Sequence, residues 1–345
     1  MRRLLISLLI LLIGLGGAPR MLDANASRLT GHPAVKKHCK TVTRTIHGHK
    51  KRVKVCKTVR PRATPTPLPT SPPSLFVGPE DVIVDGEGNV YVADQGNQTV
   101  DKLSPDGRLL TRWSSSGSGH FSDPFSLALD SQANVYVADL GDNRIIKLSP
   151  TGQPLASWST PGSAGADPDR ASSVAVDPHG DVYVPADNHQ HINKFSPTGE
   201  LITTIGTAGT GPGQFAFPFG SALDTQGNLY IADSHNNQIQ ELAPDGKFIT
   251  RWGEPGSPIQ LSDPEGLKVD GQGALYVAEA RAQRVVKFAH DGTVLGQWGG
   301  GAGSITFSHP TGIALDEQGD IYVADFSGNS VDKLSPTGQL LAVWK

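Results

Sequence analysis

The sequence predicts an all-β protein whose main body, residues 75–345, is a six-bladed β-propeller of four-stranded antiparallel blades. All six tyrosines occupy one position of a sequence motif, for example Val90-Tyr91-Val92-Ala93-Asp94, and the motif recurs every 45 to 47 residues. The motif is β-branched, aromatic and apolar almost throughout, as is typical of a strand buried on both faces. Six such strands need neighbours on both sides, and a ring of stacked sheets supplies them.

Each repeat contains four short strands joined by turns. In the second repeat these are residues 127–129, 134–139, 144–148 and 155–158. The first turn is Asp-x-x-Gly-Asn or close to it, and the third is Ser/Ala-Pro-Thr/Asp-Gly. Proline presets φ and glycine permits positive φ, so both turns are tight. The last fourth strand ends at Trp344, inside its own repeat, so we expect no strand to be exchanged between the ends of the ring.

One stretch of the second repeat resembles a known family. Val135-Tyr136-Val137-Ala138-Asp139, continued by Asn143-Arg144-Ile145-Ile146-Lys147-Leu148, is similar to the NHL repeat. Six concordant copies extend the resemblance over residues 75–345. It implies a six-bladed NHL propeller, but no single function, because the family includes binding domains and a few enzymes.

The repeats differ from one another at a few slots. Blade 3 reads Val184-Pro185-Ala186-Asp187, which suggests one extra residue, and its proline predicts a bulge. Blade 3 has Ile205 where the other outer strands have Trp, blade 4 has Glu241 in a Lys slot, and blade 5 has Glu279 in an Asp slot. We expect the repeated Asp and Lys slots to be structural, because a reaction needs its catalytic group once.

Residues 1–26 have the pattern of a signal peptide. Arg2 and Arg3 precede an apolar run over residues 4–15, and the segment ends in Ala24-Asn25-Ala26. The run is shorter than the ~20 residues of a membrane span. We therefore expect a secreted or extracytoplasmic chain, possessing no transmembrane segment once mature; an uncleaved N-terminal anchor is the alternative.

Residues 27–60 predict a small basic hairpin. Residues 27–62 hold twelve Lys and Arg and no acid, together with both cysteines of the chain. A turn at His47-Gly48 places Cys39 opposite Cys56, and an exported pair so placed favours a disulfide. The Pro/Thr-rich linker, residues 61–74, is an extended spacer. Two roles remain open for the hairpin: adhesion to an anionic surface, or a solvated arm that docks on the acidic body.

The propeller itself is strongly acidic. Residues 75–345 carry 15 Lys and Arg against 32 Asp and Glu, a net charge of −17, whereas the whole chain has −3. This charge argues against nucleic-acid binding by the propeller and favours cationic or neutral ligands.

The second turns and the links between blades vary most in sequence, and we expect them on one face of the disc. Variable loops on a rigid frame are where binding residues concentrate. Residues at the start of each innermost strand should lie nearest the axis. The predicted ligand-binding set is Glu80, Asp123, Phe125, Arg170, Phe219, Asp263, Glu265 and His309. The open alternative is a solvated channel mouth that holds no ligand.

Two function classes follow. The first is an exported, non-catalytic binding or scaffold protein that presents this face to a protein or glycan partner and needs no cofactor. The alternative is a metal-dependent lyase or lactone hydrolase, amidating-lyase-like or gluconolactonase-like, acting through Glu80, Asp263, Glu265 and His309 with a divalent metal. Zinc lyases in the NHL family gather several His on the axis, where this chain has only His309. No G-x-S-x-G elbow, phosphate loop or CxxC motif is present.

Overall fold

The computed structural model describes residues 36–46, 49–59, 74–114, 120–162, 168–254, 256–257, 259–301 and 305–345. The predicted signal peptide and residues 61–73 of the predicted linker lie outside these ranges. The chain divides into two compact units, Met1–Thr70 and Ser71–Lys345. In the described ranges, no helix has the length and apolar character needed to cross a membrane.

In the described residues of the first unit, two strands form an antiparallel pair. Its strands are Lys36–Ile46 and His49–Val59. Their backbone register places Cys39 opposite Cys56, as the predicted turn requires. A disulfide between the two cysteines stays a prediction.

The second unit confirms the predicted propeller: six four-stranded antiparallel sheets follow one another along the chain. The strands are Pro79–Val84, Val90–Asp94, Thr99–Leu103 and Leu109–Trp113 in blade 1; Pro124–Leu129, Val135–Asp139, Arg144–Leu148 and Pro154–Ser159 in blade 2; Ala175–Val176, Val182–Ala186, His191–Phe195 and Leu201–Ile205 in blade 3; Pro218–Leu223, Leu229–Asp233, Gln238–Leu242 and Phe248–Trp252 in blade 4; Pro264–Val269, Leu275–Glu279, Arg284–Phe288 and Val294–Gly299 in blade 5; and Pro310–Leu315, Ile321–Asp325, Ser330–Leu334 and Leu340–Trp344 in blade 6. Between blades 3 and 4, Thr207–Ala208 and Gln214–Phe215 form a short parallel pair, and two 3₁₀ turns span Leu140–Asp142 and Ser234–Asn236.

The hydrophobic core lies between the blades. All five residues of every second strand are buried, as expected of strands covered on both faces. Tyr91 of blade 1 packs in one cluster with Val135 and Val137 of blade 2, and Val92 of blade 1 packs in another with Tyr322 of blade 6. Each of these apolar faces is therefore covered by a neighbouring blade, as in a closed propeller.

A second contact joins each blade to the next at the rim. The outer-strand residue of one blade covers the glycine in the third turn of the following blade: a Cβ on Gly152 would collide with the Trp113 indole, and one on Gly107 with that of Trp344. Trp344 thus joins blade 6 to blade 1 by the contact used elsewhere in the ring. The N–H of Gly78 also donates to Asn329 Oδ1 at 2.8 Å across this seam. Each blade consists of one contiguous segment, which confirms closure without an exchanged strand.

Blade 3 differs from the prediction. Its second and third strands pair without a register shift, and Ala186 lies opposite His191. In blade 1 the residue at this position is Asp94, opposite Thr99. The predicted extra residue and bulge in this strand are therefore wrong: Ala186 replaces the repeated Asp.

The irregularity of blade 3 lies in its innermost strand instead. The carbonyl of Pro185 accepts a hydrogen bond from the N–H of Ser172 at 3.2 Å. The N–H and C=O of one residue point to the same side of a strand. Pro185 therefore lacks the N–H that would donate a hydrogen bond to the innermost strand. That strand accordingly shortens to Ala175–Val176, with an isolated bridge between Ala171 and Ala186.

Candidate functional site

The innermost strands surround an axial cavity of about 220 Å³. Four of the eight predicted site residues line it: Glu80, Phe125, Phe219 and Glu265. The other four, which precede the innermost strands, are not among its lining residues: Asp123, Arg170, Asp263 and His309. A role in binding stays a prediction for all eight.

The repeated acidic slot fixes the backbone at the start of the innermost strands. Asp139 Oδ1 accepts the N–H groups of Ser122 and Asp123 at 2.9 and 2.8 Å. Asp325 does the same for Ser308 and His309, at 2.8 and 2.6 Å. Hydrogen bonds to an ionised acceptor are stronger than neutral ones, so these carboxylates hold the mouth in place. Their role is structural, as their repetition predicted.

One side of the mouth is acidic. Glu80 is only 8% exposed, and its carboxylate has no hydrogen-bond or ion-pair partner among the described residues. Burial raises the pKa of Glu80 well above its ordinary value, and the negative charges of Glu265, Asp123 and Asp81 add to the shift. Burial also raises the pKa of Glu265, and the neighbouring His309 opposes that shift. His309 Nε2 lies 3.7 Å from Glu265 Oε1, and this carboxylate raises the pKa of the imidazole.

The other side of the mouth is aromatic. The rings of Phe125 and Phe219 meet edge to face with their centroids 5.2 Å apart, although they belong to blades 2 and 4. The intervening blade contributes the small residue Ser172, whose hydroxyl lies 3.0 Å from the carbonyl oxygen of Pro218. Phe217 stacks on Phe219, with a centroid separation of 5.8 Å. The mouth therefore presents an apolar wall beside its buried carboxylates.

Arg170 is not among the residues that line the cavity, and its guanidinium lies near Asp187 instead. Its Nη2 lies 3.6 Å from Oδ2 of the buried Asp187, and neither oxygen of that carboxylate has a hydrogen bond. Burial raises the pKa of Asp187, and Arg170 opposes the shift. Arg170 also acts electrostatically on Asp123, whose pKa is raised by burial.

Two charged residues inside the channel, Asp81 and Lys268, were not predicted from the sequence. Asp81 accepts hydrogen bonds from the Leu127 N–H at 2.8 Å and the Ser126 hydroxyl at 3.0 Å, and burial raises its pKa to about 6. Lys268 is the only cationic side chain among the described residues that line the cavity. The channel leaves Lys268 accessible to solvent, but the surrounding ring lowers its pKa by desolvation, which Asp81 opposes. A signal existed, because the other five repeats have only Ile or Ala at the Lys268 position.

A set of glycines near the axis was also not predicted from the sequence. A Cβ on Gly312 would lie 2.5 Å from Asp81 Cα and 2.8 Å from the Glu80 carbonyl oxygen. Cβ atoms on Gly220 and Gly266 would collide with backbone carbonyls of the next blade. These glycines occupy one repeat position in blades 4, 5 and 6, which shows that each of these blades approaches the next too closely there for a Cβ atom.

In blade 3, where Ala186 stands in place of the repeated Asp, another carboxylate binds the neighbouring segments. Asp169, 2% exposed, lies 2.6 Å from His189 Nδ1 and 3.0 Å from His191 Nε2, and Asn193 Nδ2 donates to it at 2.6 Å. The cluster ties the segment before the innermost strand to the third strand. Over the described ranges, no three His, Cys, Asp or Glu side chains are grouped so that they could hold a metal ion.

Residues 307–331 match the family model of the NHL repeat. The propeller carries an NHL repeat. The match confirms an NHL repeat in blade 6, within the six-bladed propeller that the resemblance implied. A search of curated proteins finds no match to this chain.

Solved structures share the propeller fold. A streptogramin B lyase structure has a TM-score of 0.58 at 17% identity, over 80% of this chain and 85% of the other. A catalytically inactive virginiamycin B lyase from Staphylococcus aureus with quinupristin has a TM-score of 0.57 at 17% identity, over 77% and 84%. A protein of unknown function from Bacteroides thetaiotaomicron has 0.61 at 19%, over 75% and 69%. At these identities the likeness shows the fold alone.

Proposed function

We propose that this chain is an extracytoplasmic, non-catalytic binding protein whose NHL propeller holds a protein or glycan partner at the axial mouth and the loops around it. The observation that carries the proposal is the composition of the mouth. Two buried carboxylates, Glu80 and Glu265, and two aromatic rings, Phe125 and Phe219, line one open cavity. Convergent polar groups beside an apolar wall are typical of binding sites.

The loops around the mouth are braced by the frame, which supports this proposal. The N–H of Leu140 donates to the Asp123 carbonyl at 2.9 Å, and that of Phe326 to the His309 carbonyl at 3.0 Å. Each contact ties a second turn to the segment leading into its own blade. A partner would therefore meet a preorganised surface, which lowers the entropy lost on binding.

The test uses the immobilised full chain and a matched pair of variants. Phe219→Ala removes half of the aromatic wall, and Gln318→Ala alters an exposed residue of a first turn. Glycan arrays and mass spectrometry of captured extracellular proteins measure binding. We expect a partner that wild type and Gln318→Ala retain and Phe219→Ala loses. Equal capture by all three proteins, or none by wild type, would contradict the proposal.

One observation favours the second candidate, a lyase or lactone hydrolase. His309 lies beside Glu265 at the mouth, and a carboxylate-supported imidazole is a common general base. The described residues do not assemble three metal ligands, so we derive no metal-dependent step. The test combines metal analysis of protein purified with Mg²⁺, Ca²⁺ and Zn²⁺ with turnover of a lactone panel by wild type and His309→Ala. Lactone turnover by wild type that is lost in His309→Ala would support this candidate. No turnover by wild type would contradict it.

A further inference from the structure

Glu80 is a buried carboxylate that nothing in the described chain neutralises. It is 8% exposed, yet it forms no hydrogen bond or ion pair there. Its carboxylate oxygens are not completely sealed from solvent, and Glu80 is one of the residues that line the axial cavity. An ionised carboxylate without a partner is costly to bury, and a cation in the cavity would remove that cost.

The cavity has fewer positive than negative groups. The described lining contains three carboxylates, those of Glu80, Asp81 and Glu265, against one cation, Lys268. Lys268 acts on Asp81. Glu265 Oε1 lies 3.7 Å from Nε2 of His309, and the His309 side chain is the more exposed of the two. Glu80 is therefore the group left without a countercharge.

The order of residues around the mouth indicates the kind of cation. In ring order, the second residues of the innermost strands, with the equivalent Ser172 in blade 3, are Glu80, Phe125, Ser172, Phe219, Glu265 and Thr311. The two carboxylates flank Thr311 and the two aromatic rings flank Ser172, so one half is anionic and the other apolar. Aromatic faces attract organic cations. Calcium prefers six to eight oxygen ligands, and no group of three metal-binding side chains occurs in the described ranges.

We propose that the axial mouth binds a primary ammonium group carried on an apolar chain. The ammonium lies between Glu80 and Glu265, and the chain lies against Phe125 and Phe219. This inference rests on the proposed function and names the ligand chemistry of the same site. The cavity, at about 220 Å³, is smaller than the pockets of drug-sized ligands, ~300–1,000 Å³, and suits a single alkyl chain. A free amine and the lysine side chain of a protein share this chemistry.

Isothermal titration of the full chain tests the inference. The probes are hexylammonium, the neutral hexanol and the anionic hexanoate, with Ca²⁺ as a competitor. Nα-acetyl-lysine amide forms the second arm, and its binding as tightly as hexylammonium would support a protein lysine over a free amine. We expect hexylammonium to bind at least tenfold more tightly than hexanol. Glu80→Gln should weaken hexylammonium binding at least tenfold, whereas the exposed control Glu317→Gln should leave it unchanged.

Three outcomes would overturn the inference: equal affinity for hexanol and hexylammonium, unchanged binding by Glu80→Gln, or Ca²⁺ binding that excludes the amine. Glu265→Gln is a second, independent variant, and thermal melting verifies that both variants fold. If wild type and Glu80→Gln captured a partner equally well, this inference would be wrong and the proposed function would still hold. Failure of capture by wild type would remove the proposed function itself.

Discussion

Replacing Gly312 with alanine should weaken the contact that closes the ring at its axis. The added Cβ would lie 2.5 Å from Asp81 Cα and 2.8 Å from the Glu80 carbonyl oxygen, both in blade 1. These are backbone atoms, so no side-chain rotation relieves the clash. Because ordinary Cβ contacts begin near 3.4 Å, blade 6 and blade 1 must separate by nearly 1 Å at this point.

The expected cost follows from overpacking in well-packed interiors, about 1–3 kcal/mol. The upper end applies here, since the obstructing atoms are backbone. For a domain of this size each kcal/mol lowers the melting temperature by about 2 °C, so we expect Gly312→Ala to melt about 6 °C below wild type.

Gly271→Ala is the matched control. Gly271 has no atom within 4 Å of its added Cβ and no left-handed φ. An alanine there should be neutral or stabilise the fold by up to ~1 kcal/mol, because it restricts the unfolded chain. Differential scanning calorimetry of both variants measures the difference. Equal melting temperatures would refute the close approach of the innermost strands.

The pKa of Asp81 is about 6 in the folded ring against an ordinary 3.8, so its proton stabilises folding fully below about pH 4, and that stabilisation is lost as pH rises through about 6. Melting from pH 4 to 7 should show wild type losing stability relative to Asp81→Asn, and parallel curves would contradict this. Glu241→Lys restores the residue of the other five blades and should stabilise the fold by ~1 kcal/mol at pH 7 in denaturant titrations. No gain would mean that His290, 3.9 Å from Glu241, already compensates for its charge. Asp169→Ala leaves three side-chain donors without their buried acceptor and should cost ~2–3 kcal/mol by the same method, unlike the exposed control Glu200→Ala. Equal stability of those two variants would show that the cluster is dispensable.

The number of blades and their closure could be predicted from sequence because each signal is repeated. One tyrosine per repeat gives the period, and Pro and Gly at fixed offsets give the turns. A single deviant copy lacks that redundancy. Pro185-Ala186-Asp187 suggested an insertion, since only the pairing of Ala186 with His191 reveals a substitution.

The candidate site was harder to predict, because it depends on distances across the ring. The repeat pattern places Glu80 and Glu265 at equivalent positions, but burial and the lack of a partner for Glu80 emerge only when six strands converge. The influence of Lys268 on Asp81 likewise joins blades 5 and 1, which are remote in sequence. Asp169 was missed because three other blades have serine at its position, and its partners His189, His191 and Asn193 come close to it only in the folded blade.

The rim contact between Trp344 and Gly107 has a consequence for chain connectivity. Since the last and first blades meet as the others do, the wheel has no intrinsic beginning. A circularly permuted chain, cut at a different link and with residues 75 and 345 joined by a linker, should assemble the same structure. The chain could then start at any of the six links between blades and still form the same ring.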